Sequence, residues 1–307
     1  LLFATGDYGA AAQAYSPLVE DAEASLVGRW VLSVYEQGRA AEAKRARDRF
    51  RKRFGKDPQP WTFLFQLYQG RGLLASKEYD KAFDLFEKLE NSVANTTLPP
   101  DGLGSAVALE LARAVADPGG AAAYYAATTR WQQMRAAPSE EGAQLAVKMQ
   151  GDFLNTHGDS PFAPGVRLRL GDFQTALGSH RPAAGAYRDV LDGTQSSDAQ
   201  RQEAIWKLFQ CYERLAESDE SLRIAKRLLA QFPQHPKHRS AELAVGIIYE
   251  ETGRHSEAIG YLNQVLEWAE GNDAAEARYH IGRAYEKRGD YRRAIQTYYE
   301  VSYHGKE

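Results

Sequence analysis

From Ala241 to Thr252 the apolar residues Leu243, Val245, Ile247, Ile248 and Tyr249 include the i, i+3, i+4 recurrence of an amphipathic helix. Ala258, Ile259, Leu262, Val265 and Leu266 repeat that recurrence after a polar break, so a second helix is predicted. Gly253 stands where the first helix must end and the chain reverse, because glycine takes the left-handed cap at no steric cost; Gly289 stands in the same relation to the next pair. Gly246 and Ala258 carry no bulk, which lets the paired helices approach closely where they cross. Start signals agree: Ser197 with Gln200, and Asp273 with Glu276, have capping-box spacing. Prolines fall at junctions, namely Pro58 and Pro60, Pro99 and Pro100, Pro118, Pro138, Pro161 and Pro164, and Pro233 and Pro236. No stretch shows strand alternation with turn chemistry.

The helix pairs recur. Aligning Leu170 to Phe173, Leu208 to Tyr212, Val245 to Tyr249 and Ile281 to Tyr285 sets Gly171, Phe209, Gly246 and Gly282 at intervals of 38, 37 and 36 residues. In the last two units a glycine follows the tyrosine (Gly253, Gly289) and an alanine follows that glycine (Ala258, Ala294), with Tyr291 between them in the last. Upstream, Gly70, Tyr79, Ala82 and Phe86 match the same skeleton, Gly38, Ala43 and Phe50 match it more loosely, and Gly6, Tyr8, Ala11 and Tyr15 match the second half of a unit. Both ends of the sequence read as cut from a longer chain.

The order Leu/Ile-Gly-x-x-Tyr, then Gly-x-Tyr-x-x-Ala, then an aromatic and an apolar residue resembles the tetratricopeptide repeat. The match is strong over residues 162–303, fair over 1–95 and poor over 96–160. The connectors at 231–236 (Gln-Phe-Pro-Gln-His-Pro) and 157–161 (His-Gly-Asp-Ser-Pro) resemble those of the BamD-like and YbgF-like bacterial envelope groups of this class. The resemblance implies an all-α, right-handed superhelix of antiparallel helix pairs, a tetratricopeptide solenoid. It divides the chain into N-terminal units (1–95, the first incomplete), degenerate helical units or an insert (96–160) and regular units (161–307). The middle segment reads as three Ala-rich helices, 102–116, 119–136 and 139–156, a degenerate pair plus one more helix. A boundary is expected near Asn95 to Asp101 or Ala137 to Ser139, with the superhelix continuing through because each unit contacts only its neighbours.

Charge and composition narrow the functional classes. Lys and Arg number 38 against 41 Asp and Glu, a net charge of −3, which excludes a nucleic-acid binder held mainly by bulk charge. Cys211 is the only cysteine, which excludes an intramolecular disulfide framework and a multi-cysteine metal site. Apolar runs stay far below the ~20 residues that a membrane-spanning helix needs, and no transmembrane segment is expected. No cofactor is expected either.

No nucleophile, base and orienting group come together in the sequence, so no catalysis is expected. His235 and His238 have a spacing that could ligate a metal, but they flank Pro236 without a nearby Cys or carboxylate and read as solvated loop histidines. His280 and His304 read as helix-surface residues, and Cys211 as a buried, inert thiol. Gly102-Leu103-Gly104 lacks the third glycine of a dinucleotide fingerprint, and Gly102 reads as a helix-start glycine.

Two surfaces remain. Lys44, Arg45, Arg47, Arg49, Arg51, Lys52, Arg53 and Lys56 form a basic stretch in which Ala43, Ala46, Phe50 and Phe54 are left to pack. It is either a solvated outer helix or a patch for an anionic partner, an acidic protein or lipid head groups, with Lys44, Arg47, Arg51 and Lys52 as candidates. The resemblance implies a second surface, a groove lined by the first helix of each unit. Three before, one after and four after the glycine position, its lining is Trp206, Gln210 and Glu213; Leu243, Ile247 and Glu250; Tyr279, Arg283 and Glu286. Such a lining suits an extended or helical peptide, with Trp206 and Tyr279 either as anchors or as fillers between helices. Gln210, Ile247 and Arg283 stand where a carboxylate-gripping groove has Asn, so chaperone C-terminus binding is not expected. The sequence therefore points to a non-catalytic protein-interaction scaffold, a subunit of a hetero-oligomeric bacterial envelope assembly in the periplasm or at the outer-membrane periphery. The alternative is a cytoplasmic adaptor or regulatory array belonging to a larger protein.

Overall fold

Glycine positions on one helix and bulky side chains on the next set how this chain folds. The structure, a computed structural model, describes residues 7–18, 23–55, 59–93, 98 and 109–304. Sixteen α-helices and no strand lie among them. The chain divides into two units, Leu1–Val166 and Arg167–Glu307. The readings of Gly6, Lys56, Pro58, Pro99 and Pro100, of the boundary at Asn95 to Asp101, of Gly102-Leu103-Gly104 and of residues 102–108 lie outside the described residues, as does the side chain of His304.

The first unit comprises α1 (Tyr8–Tyr15), α2 (Ala24–Glu36), α3 (Ala40–Phe54), α4 (Trp61–Ala75), α5 (Tyr79–Val93), α6 (Leu109–Ala116), α7 (Pro118–Ala136) and α8 (Glu140–Thr156). α2 packs on α3 and on α4, and α4 packs on α5. The helix that follows α5 in space is α7, with α8 paired to it and α6 lying against it. The expected degenerate pair is therefore α7–α8, and α6 is the additional helix. Asp117 caps α7 by accepting from the Gly120 N–H at 2.9 Å, and Ser139 caps α8 by accepting from the Gly142 N–H at 3.1 Å.

α9 (Ala163–Ala176) crosses the division; its residues from Arg167 onward open the second unit. There follow α10 (His180–Asp192), α11 (Asp198–Arg214), α12 (Ser218–Gln231), α13 (His238–Glu251), α14 (His255–Val265), α15 (Gly271–Lys287) and α16 (Tyr291–His304). From α10 to α16 each helix packs on the next, and α13 also packs on α15, the sequential stacking of a solenoid. The capping box of Ser197 and Gln200 forms in full. That of Asp273 and Glu276 does not: α15 starts at Gly271, with Glu270 as an N-cap that makes no side-chain cap bond, so Asp273 lies inside the first turn.

A regular relation closes the pairs. A Cβ on Gly171 would stand 2.6 Å from the Tyr187 ring, one on Gly246 2.3 Å from Leu262 Cδ2, and one on Gly282 2.5 Å from the Tyr298 ring. Each partner lies sixteen residues further on. Where Phe209 replaces the glycine, the residue sixteen on is Ala225, fully buried, so bulk has exchanged sides of the interface. Except between α7 and α8, the turn after the first helix of each pair holds one residue at positive φ. It is Gly38, Gly178, Gly253 or Gly289 in four of them, but Lys77 (φ 61°) after α4 and Ala216 (φ 54°) after α11.

Candidate functional site

In the second unit the first helices of successive pairs are α9, α11, α13 and α15, and the nine residues expected to line a groove divide by burial. On α11 the Trp206 ring is half-buried against Phe209, 5.2 Å between centroids, while Gln210 and Glu213 are exposed. On α13 Leu243 is buried and Ile247 half-buried. On α15 Tyr279 is 47% exposed, with its ring edge-on to His280. Glu286 is exposed and accepts from the Tyr298 hydroxyl at 2.8 Å. Burial first, and this bond second, push the Tyr298 phenol up to about 12.

Glu250 behaves differently. It is 2% exposed, with its Oε2 3.0 Å from His280 Nδ1 and 3.4 Å from Arg283 Nη1. A buried carboxylate requires such partners, because leaving it unpaired in the interior costs several kcal/mol, about 3–5 when one partner is removed. The pairing ties α13 to α15 and holds Arg283 with its guanidinium 6.0 Å from the Tyr279 ring centroid. His280 was expected at the helix surface. It is 8% exposed, because Glu250, which faces it from α13, supplies the polar partner that lets an imidazole lie inside.

A polar hollow of about 260 Å³ adjoins Gln210 between α9 and α11. Lys207 Nζ donates to Asp172 at 2.6 Å and to Glu203 at 2.6 Å, and the Tyr187 hydroxyl donates to Asp172 at 2.7 Å. Burial alone would lower the Lys207 pKa; the two carboxylates outweigh it and hold the ammonium above the usual lysine range. Burial pushes the Cys211 thiol up, against a hydrogen bond with Thr175, in keeping with the inert thiol expected. Asp172 and Thr175 occupy the one-after and four-after positions of Gly171, so the register that found Gln210 also locates them; Lys207 lies outside that register.

The connector histidines depart from expectation. His235 is buried: its Nδ1 accepts from the Lys237 N–H at 2.9 Å and its Nε2 lies 3.0 Å from the Gln202 carbonyl, so it fastens the 232–237 connector to α11. His238 is half-buried, 3.9 Å from Glu242. Among the described residues no three His, Cys, Asp or Glu side chains group as a metal site, and no helix is long and apolar enough to cross a membrane.

The basic stretch falls on α3. Ala43, Ala46 and Phe50 are buried and Phe54 half-buried, while Lys44, Arg45, Arg49, Arg51, Lys52 and Arg53 are exposed. Lys44, Arg47 and Arg51 line a cleft of about 520 Å³ between α3 and α4; Lys52 lies outside it. The Phe50 ring meets Trp61 at 6.1 Å and Phe65 at 5.1 Å, so the C-terminal part of α3 is joined to the N-terminal part of α4, and the cleft opens beyond that wedge.

Tetratricopeptide repeat profiles match residues 207–273 and 276–303, the stretch from α11 to α16. The segment from α11 to α16 is therefore built of tetratricopeptide repeats, which serve generally in non-catalytic protein-interaction scaffolds. Among solved structures it is similar to a tetratricopeptide repeat protein from Parabacteroides merdae at 13% identity, over 95% of this chain and 94% of that one, with a TM-score of 0.42. It is also similar to MamA at 20% identity, over 57% of this chain and 93% of that one (TM-score 0.43), and to the apo form of RapI at 10% identity, over 91% and 76% (TM-score 0.49).

Proposed function

We propose that the protein is a scaffold that holds an extended or helical segment of another protein along the first helices of the second unit, at α11, α13 and α15. One observation carries the reading. Trp206, Ile247 and Tyr279 leave apolar surface open on three successive first helices, among the exposed polar side chains of Gln210, Glu213 and Glu286. Aromatic anchors rimmed by polar groups are how such interfaces gather their energy. The Glu250–His280–Arg283 cluster supports this by fixing α13 against α15, so that the surface is formed before a partner arrives and less ordering entropy opposes binding.

A partner recovered with the full chain should bind Trp206→Ala and Tyr279→Ala more weakly by about 1–3 kcal/mol each, with helicity unchanged. Unaltered affinity in both variants removes this surface as the site. The proposed setting, a bacterial envelope assembly, rests on the connectors at 157–161 and 231–236 alone. Fractionation of cells carrying the complete gene tests it, and recovery of the product only in the cytoplasm favours the adaptor reading.

A further inference from the structure

We propose that the α3–α4 cleft of the first unit is a second binding site, and that its ligand is an acidic peptide segment with an apolar side chain. The cleft, about 520 Å³, falls within the roughly 300–1,000 Å³ of ligand-holding pockets. Its charge comes from one helix face. Lys44, Arg47 and Arg51 follow one another at spacings of three and four, which places them within one stripe of α3. α3 carries seven basic residues against two acidic ones, in a chain whose net charge is −3, so the positive field is local to this helix. Of the two carboxylates in the lining, Glu78 is engaged by Lys81 Nζ at 2.6 Å, and Asp48 together with Glu42 still leaves α3 with five more basic than acidic residues.

The remaining lining separates a peptide from other anions. Tyr35, Ala41 and Leu73 give the cleft an apolar part, which inorganic phosphate does not use. Gln69 and Ser76 on the α4 side offer amide and hydroxyl groups to a peptide main chain. The site is walled by two helices that diverge from the Phe50–Trp61–Phe65 wedge, whereas a bilayer meets an open basic face such as Arg45 and Arg49, which lie outside the lining.

The test is fluorescence anisotropy of the full chain with a fluorescein-labelled peptide of alternating glutamate and leucine, its lysine counterpart, and phosphatidylserine vesicles. Lys44→Glu with Arg51→Glu removes the charge, and Ala41→Trp fills the cleft without changing charge. Arg45→Glu with Arg49→Glu makes the same charge change outside it. The acidic peptide should bind and the lysine peptide should not. The first pair and Ala41→Trp should each weaken binding about tenfold or more, while the Arg45/Arg49 pair changes it less than about twofold. Added salt should weaken binding through screening. Trp206→Ala with Tyr279→Ala should leave this binding intact, so failure here and failure of the second-unit surface are read separately. Equal loss in the Arg45/Arg49 pair, no effect of Ala41→Trp, no binding of the acidic peptide, or binding of vesicles alone each overturns the proposal. Circular dichroism checks that every variant is folded, and if the Lys44/Arg51 pair is not, Ala41→Trp decides.

Discussion

The two units close their helix pairs in different ways. In the second, a glycine on the first helix receives a large side chain from sixteen residues on, as Gly246 receives Leu262 and Gly282 receives Tyr298. Among the described residues the first unit has one such pair, Gly70 with Phe86; its buried helical glycine Gly28 packs on Trp61 of α4 instead, 2.4 Å from where a Cβ would stand. Its core also holds clusters of rings: Phe50 meets Phe54, Trp61 and Phe65, and Phe86 stacks on Tyr125 at 5.5 Å. Small-on-large closure draws helices together and repeats. Between α3 and α4 the rings join the helices at one end, and the cleft lies toward the other.

The sharpest way to break this comparison is Phe50→Ala. Removing a fully buried ring at the wedge should cost about 3–5 kcal/mol, visible as an earlier loss of helix on heating. Cys211, 1% exposed in the second unit, reports that unit alone through its reactivity toward a thiol reagent. Loss of Cys211 protection in the same transition would show that the two cores melt as one. The next largest effect is Gly282→Leu, at about 1–3 kcal/mol or more, because the new side chain must displace the Tyr298 ring. Gly271→Leu has open space around its Cβ but a φ of 54°, so it should cost about 1–2 kcal/mol of backbone strain and no repacking. Equal unfolding midpoints for the two variants contradict the small-on-large account.

Alkaline pH should act on the second unit. Burial raises the pKa of Cys211, Tyr187 and Tyr261, so each holds its proton more tightly folded than unfolded. Stability from a raised group is fully present below its unfolded pKa and is lost as pH climbs toward the folded one. The unit should therefore weaken above about pH 9, where an unfolded thiol and then phenols ionise. Urea midpoints that stay level from neutral pH to pH 10 would contradict this. The smallest effect is a gain: Ala216→Gly should stabilise by about 0.5–1 kcal/mol by removing a side chain from a left-handed turn, measured as a rise in the urea midpoint.

The sequence alone determined the helices, their pairing and the repeat register, because amphipathic periodicity, caps and turn glycines are local signals that each unit repeats. The groove register placed Tyr279 at an exposed position and, extended to α9, reaches Asp172 and Thr175. It also named Glu250, which the structure buries against His280 and Arg283. Thirty residues separate Glu250 from His280, and no local signal relates a carboxylate on one helix to an imidazole on the next. The burial of His235 is illegible in the sequence for the same reason, since its carbonyl partner on Gln202 lies 33 residues away. The basic character of α3 was plain in its residues, but whether it faced solvent or a cleft was not. That depended on where Phe50, Trp61 and Phe65 join α3 to α4, and bulk at a crossing has its effect only when the partner helix is in place.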